Sequence, residues 1–117
     1  VKASGTTTSL RADNFTHTNG RLTYTGAVQK FFQATAAIST KSSVGNVVLS
    51  MYFAKNGVAV AASEITRKIG TANDVGAAPL ILPITLTQND YIEVFVSVTG
   101  ATPDITLDKM LLNLIEE

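Results

Sequence analysis

Asn56-Gly57, set between Ser50–Lys55 and Val58–Ala62, constrains this chain more than any other feature. Both central residues of a type I′ turn need positive φ, which Asn and Gly reach at the least steric cost. The pair between two β-prone runs therefore predicts a two-residue hairpin. Counting outward from the turn sets Phe53 opposite Val60, Tyr52 opposite Ala61, Met51 opposite Ala62 and Val48 opposite Ile65. Near the turn both faces of this hairpin are apolar, more than a sheet with one wet face requires. The expectation is an all-β domain that buries part of its outside against another surface.

Composition points the same way. At 117 residues the chain suits one domain with one core, and 45 % hydrophobic against 15 % charged residues implies hidden surface. Nine basic and nine acidic residues cancel. That balance offers no footprint for phosphate backbones and no basic run for an anionic membrane; the one adjacent basic pair, Arg67-Lys68, reads as a solvated strand end. Cysteine is absent, so disulfides and thiolate metal sites are excluded, while the compartment stays open. The longest uncharged run, Val75 to Asn89, is too short for a helical membrane span and carries Pro79 and Pro83. The first residues show no secretory-signal pattern.

Residues 1–20, rich in Thr, Ser, Gly and Asn, read as an extended N-terminal arm or linker with Leu10 and Phe15 as anchor points; residues 21–117 read as the folded domain. Arg21 to Thr25 is a short strand. Ala27 to Thr40 alternates, with Val28, Phe32, Ala34, Ala36 and Ile38 on one face and Gln29, Phe31, Gln33, Thr35, Ala37 and Ser39 on the other. Lys41 to Asn46 turns into the hairpin, which runs to Ile69, and Gly70 to Ala78 is a loop on composition. Leu80 to Thr87 is a strand that Pro83 restricts to an edge, a bulge or a strand end. Gln88-Asn89-Asp90 turns into Tyr91–Thr99, where Ile92, Val94, Val96 and Val98 share a face. After a turn at Gly100–Asp104, Ile105 to Ile115 also fits a helical stripe, but the alternation of Met110, Leu112 and Leu114 favours a strand. Without one convincing helix, such strands mean a sandwich or jelly roll.

Chemistry-bearing constellations are missing. His17 is the only histidine and Asp13 lies four residues before it, but no nucleophile elbow or oxyanion loop accompanies them. Asp74, Asp90, Asp104 and Asp108 match no calcium-loop spacing and suit turn capping. Asn14-Phe15-Thr16 fits a glycosylation sequon that matters only in a eukaryotic secretory setting, and Gly70 and Gly76 make no phosphate cradle. No catalytic, cofactor or metal-binding residue is therefore expected, and no enzyme. What stands out instead are aromatics on the second faces of central strands: Phe31, Tyr52, Tyr91 and Phe95. Together they suggest a dry contact between subunits.

Taken in order, the segments resemble a known family. They are the Gly-flanked Arg21-Leu22-Thr23-Tyr24-Thr25-Gly26, a strand with Phe31-Phe32, the Lys55-Asn56-Gly57 hairpin, the run Leu80 to Thr87, Asn89-Asp90 leading into Tyr91-Ile92-Glu93-Val94, and a Leu-rich last strand. Over residues 21–115 this arrangement resembles the compact trimeric jelly rolls of the tumour-necrosis-factor and complement globular-head superfamily. Leu86-Thr87-Gln88-Asn89-Asp90-Tyr91-Ile92 is similar to that family's entry into a central strand, with Asn89 where Gly is usual. The wording is nearest to modules on tailed bacteriophages and related viruses, where such domains serve as capsid decoration, head fibres or tail-fibre tips. The resemblance implies an all-β jelly-roll homotrimer on a virion surface, assembled in the host cytoplasm. It also implies Phe31, Tyr91 and Phe95 near a threefold axis, and the arm docked to a capsid or fibre protein. The alternative it allows is a receptor-binding or lectin-like module that recognises host-surface glycans with its loops.

Overall fold

In the computed structural model, which describes residues 14–99 and 105–116, the chain forms two antiparallel sheets that share one core. The strands are β1 (Phe15–Thr18), β2 (Arg21–Tyr24), β3 (Lys30–Ser42), β4 (Val47–Lys55), β5 (Val58–Ala59), β6 (Ile65–Ile69), β7 (Val75–Leu86), β8 (Tyr91–Thr99) and β9 (Ile105–Glu116). One 3₁₀ turn, Ala61–Ser63, interrupts the β5–β6 connection. The larger sheet runs β1-β2-β8-β4-β5 with β6 also on β4; the smaller runs β7-β3-β9. Among the described residues the first strand, Phe15–Thr18, already lies inside the segment expected to be an arm, where it pairs with Arg21–Tyr24 around Asn19-Gly20. Leu10 lies outside the described residues.

β3 sets the core. Its alternation buries Phe32, Ala34, Ala36 and Ile38 between the sheets, against Val47, Leu49, Met51 and Phe53 from β4 and Ile92 and Val94 from β8. Small alanines at the centre let the sheets approach, and larger side chains of the opposite sheet fill the space they leave. At one end Tyr24 is sealed among Phe15 and Phe32, ring centroids 5.4 and 5.2 Å away, and its hydroxyl donates to the Val28 carbonyl at 2.6 Å. Val28 itself stands exposed outside the strand.

The hairpin follows the count only at its tip. Asn56 and Gly57 take φ 53° and 82°, Lys55 faces Val58, Ala54 faces Ala59, and the Val60 N–H donates to the Phe53 carbonyl at 2.8 Å. Beyond that the expected pairs Met51–Ala62, Tyr52–Ala61 and Val48–Ile65 do not form: Met51 faces Ile65 and Val48 faces Lys68. The 3₁₀ turn inserts three residues, held by Ser63, whose buried Oγ accepts the Phe53 N–H at 2.8 Å and donates to the Val60 carbonyl at 2.7 Å. An uninterrupted ladder would have set Glu64 opposite Leu49 on the core side. The insertion instead brings Ile65 and Ile69 opposite Met51 and Val47, so burial overrides the simple register.

β7 starts at Val75, so the loop expected over Gly70–Ala78 shrinks to residues 70–74. Small residues with weak strand propensity hid those first positions, but Ala78 is buried, and a Cβ at Gly76 would collide with Arg67 and Ile69. β7 is an edge strand, one of the three places Pro83 allows, and Pro79 shares the parity that turns backbone nitrogens away from β3. β9 is a strand with a bulge: Ser39 pairs Lys109 while Thr40 pairs Leu107, leaving Asp108 without an opposite residue. That extra residue switches the inward set from Ile105 and Leu107 to Met110, Leu112 and Leu114.

Among the described residues one buried polar side-chain atom stands alone: the Thr40 Oγ1, between the sheets, has no hydrogen-bond partner there. Thr40→Val should stabilise the domain by about 1 kcal/mol, because it removes a desolvated hydroxyl at nearly constant shape. Chemical denaturation checks this, and a loss of stability would contradict it.

Candidate functional site

Three regions could carry function: the end of the sandwich at the hairpin tip and the outward faces of the two sheets. At the tip, Asn56 does more than turn the chain. Its N–H donates to the Tyr91 carbonyl at 2.9 Å, its side-chain carbonyl accepts the Tyr91 N–H at 3.0 Å, and its amide donates to Asp90 at 2.9 Å. Asp90 also accepts the Thr87 N–H and hydroxyl, each at 2.9 Å, and lies 3.5 Å from the Lys55 ammonium, which donates to the Thr85 carbonyl. Partial burial pushes the Asp90 carboxyl up, but the Thr87 N–H, the Asn56 amide, the Thr87 hydroxyl and Lys55 outweigh it and hold the pKa at about 2. This cluster joins the hairpin to the β7–β8 turn, where Asn89 takes φ 73°. It is a structural knot.

The pKa sets a pH dependence. Because the folded value lies below the unfolded one near 3.8, the stabilisation is complete above that value and fades as pH falls from about 4 to 2. After solvent screening it is worth on the order of 1 kcal/mol. Asp90→Asn should therefore flatten the fall in melting temperature between pH 5 and 2; an unchanged slope would show that Asp90 contributes nothing.

The outward face of the larger sheet holds three of the four aromatics singled out from sequence. Tyr52 and Phe95 face each other across β4 and β8 with ring centroids 5.8 Å apart. Tyr91, also on β8, lies under the Arg21 guanidinium at 4.0 Å, and Arg21 Nε donates to Glu93 at 3.0 Å. Although it points outward, the Glu93 side chain is only 4 % exposed. These residues cover one another and leave no large apolar group bare in the middle of that face.

The outward face of the smaller sheet is different. Phe31, the fourth aromatic, belongs here, so the four residues do not share one surface. On β3 it stands with Gln33, Thr35, Ala37 and Ser39, flanked by Pro79, Ile81 and Pro83 on β7 and by Leu111, Asn113 and Ile115 on β9. Phe31, Ile81, Leu111 and Ile115 are 63, 61, 57 and 51 % exposed. Among the described residues the only charge in the middle of this face is Lys109, opposite Ser39. Sequence reading missed Ile81, Leu111 and Ile115 because it weighed aromatics alone; the usable signal was β9's run of apolar residues at consecutive positions, which cannot all face one core.

His17 sits on β1 opposite Leu22. Among the described residues no group of three His, Cys, Asp or Glu side chains could hold a metal, and no helix is long and apolar enough to cross a membrane. Asp104 lies outside the described residues. An open groove of about 490 Å³ between β6 and β7 carries Thr66, Arg67 and Lys68 on one wall and Ala77, Ala78 and Pro79 on the other, with the Arg67 guanidinium donating to the Ala77 carbonyl at 3.2 Å. No acid or nucleophilic pair meets there.

No family model, curated protein or solved structure matches the chain. Its class is that of a small all-β protein with two antiparallel sheets.

Proposed function

We propose that this chain is a non-enzymatic structural protein of a virus particle surface, a bacteriophage capsid-decoration or fibre module that works as a homotrimer of jelly-roll sandwiches. The observation that carries the reading is the bare outward face of the β7-β3-β9 sheet. Its four large side chains expose on the order of 400 Å² of apolar surface, as much as the largest patch on an ordinary monomer.

Width favours three copies. Three strands at about 4.8 Å make a wall about 14 Å wide, and a three-sided prism with walls about 5 Å from its axis has sides of about 17 Å. The small sheet fits such a wall, with Phe31, Ile81, Leu111 and Ile115 pointing inward; the larger sheet is too wide. Support for jelly-roll connectivity comes from the chain changing sheets at every step from β2 to β9 except within the β4–β6 hairpin. Attachment to a capsid or fibre protein falls to the residues before Phe15, since Phe15 packs on Tyr24 and Phe32.

The virion setting has a direct test. Mass spectrometry of purified particles of the virus that encodes the chain should find it in fixed proportion to the capsid protein, in multiples of three. Particles that lack it would overturn the proposal.

A further inference from the structure

We infer that Asn56-Gly57 is a self-modifying site: Asn56 deamidates without an enzyme, Asp90 sets how slowly, and the product carboxylate unfastens the hairpin from the β7–β8 turn. It needs nothing from the trimer reading. Asn followed by Gly is the pair most open to this chemistry, because no Cβ shields the Gly nitrogen from the preceding carboxamide. Both residues are exposed at the hairpin tip. The Gly57 nitrogen loses its proton to solvent base and attacks the Asn56 Cγ. A bond forms between them, the Cγ–Nδ2 bond breaks, and ammonia leaves a five-membered succinimide behind. Water then opens the ring at either carbonyl, which gives aspartate or its β-linked isomer at position 56.

The fold holds this reaction back. Attack requires the Asn56 side chain to swing over the Gly57 nitrogen, but both of its polar atoms are engaged elsewhere. The amide donates to Asp90 Oδ1 at 2.9 Å, and the side-chain carbonyl accepts the Tyr91 N–H at 3.0 Å. The Asn56 N–H, which donates to the Tyr91 carbonyl at 2.9 Å, fixes the backbone beneath them. Asp90 is itself fastened by the Thr87 N–H and hydroxyl, each at 2.9 Å. Only molecules in which this knot has opened can react. Once the amide has become a carboxylate, the oxygen that replaces Nδ2 faces Asp90 Oδ1 with no proton between them. Two acceptors of like charge then stand where a donor met an acceptor. Lys55, 3.5 Å from Asp90 Oδ2, offsets one of the two charges. The β-linked product also lengthens by one carbon a turn whose two residues, at φ 53° and 82°, set Lys55 opposite Val58. Neither product regains its ammonia, so the knot opens one way.

The test holds the full chain at mildly alkaline pH and body temperature and follows each Asn by peptic mapping and mass spectrometry, which reads the mass gain from amide to acid. Asn19-Gly20, the chain's other Asn-Gly pair, is the internal reference. It lies past the far end of β2 from Tyr24, whose N–H donates to the Asp90 carbonyl at 2.8 Å. Asn56 should convert slowly in the native chain and at least about tenfold faster in Asp90→Ala, which loses a charge-assisted hydrogen bond, while Asn19 keeps its rate. Asn56→Asp should lower the melting temperature. Adding Asp90→Asn to it should recover most of that loss, because donor and acceptor then exchange places. Conversion at Asn56 that Asp90→Ala leaves unchanged, or that rises equally at Asn19, overturns the inference. So does an absence of conversion in both proteins, or an exchanged pair no more stable than Asn56→Asp alone.

Discussion

Tyr24→Ala should destabilise the domain by about 4 kcal/mol, the largest loss expected from any single change. The side chain is 1 % exposed and ties β1, β2 and β3 together through Phe15 and Phe32. Removing the ring leaves a cavity that neither neighbour can fill, since each belongs to a paired strand. It also strands the Val28 carbonyl, which now accepts the Tyr24 hydroxyl at 2.6 Å. Gly26 packs flat on the same ring, where a Cβ would collide with it, so the β2–β3 connection loses its support as well. Tyr24→Phe isolates the hydrogen bond and should cost only about 1 kcal/mol. Urea denaturation reads both values. A loss below about 1.5 kcal/mol for Tyr24→Ala would mean that the end cluster is not part of the cooperative core.

The second large effect concerns association. Ile81→Glu combined with Leu111→Glu should turn the proposed trimer into a folded monomer of 12.3 kDa. Both side chains are outward and more than half exposed, on the two strands that flank β3, so the change leaves the core intact. In the trimer it would gather six carboxylates around one axis, where desolvation and mutual repulsion oppose assembly. Val58→Glu, at the exposed hairpin tip, serves as the control and should leave the mass unchanged. A double variant that stays assembled would remove the small-sheet face from the interface.

Local chemistry was legible in the residues; long-range parity was not. Asn56-Gly57 announced its turn because only a few residues tolerate its backbone, and the inner face of β3 followed from strict alternation. Pro83, whose nitrogen carries no hydrogen for a central ladder, limited its strand to an edge, a bulge or a strand end, and β7 is an edge. The register of β6 escaped, since nothing local marks Ala61–Ser63 as a turn; the buried Ser63 hydroxyl that holds it becomes visible only beside Phe53. The bare face escaped for a related reason. Which side Leu111 and Ile115 take depends on the bulge opposite Ser39 and Thr40, and Ile81 is outward only relative to β3. Hence the aromatics of the larger sheet drew attention, although they largely cover one another.

Molar mass in solution, by light scattering at two protein concentrations, tests the central claim most directly. The account predicts a stable species at three times the 12.3 kDa chain, about 37 kDa, at both concentrations. A 12.3 kDa monomer at both would contradict it and leave the apolar face of the small sheet to a different partner.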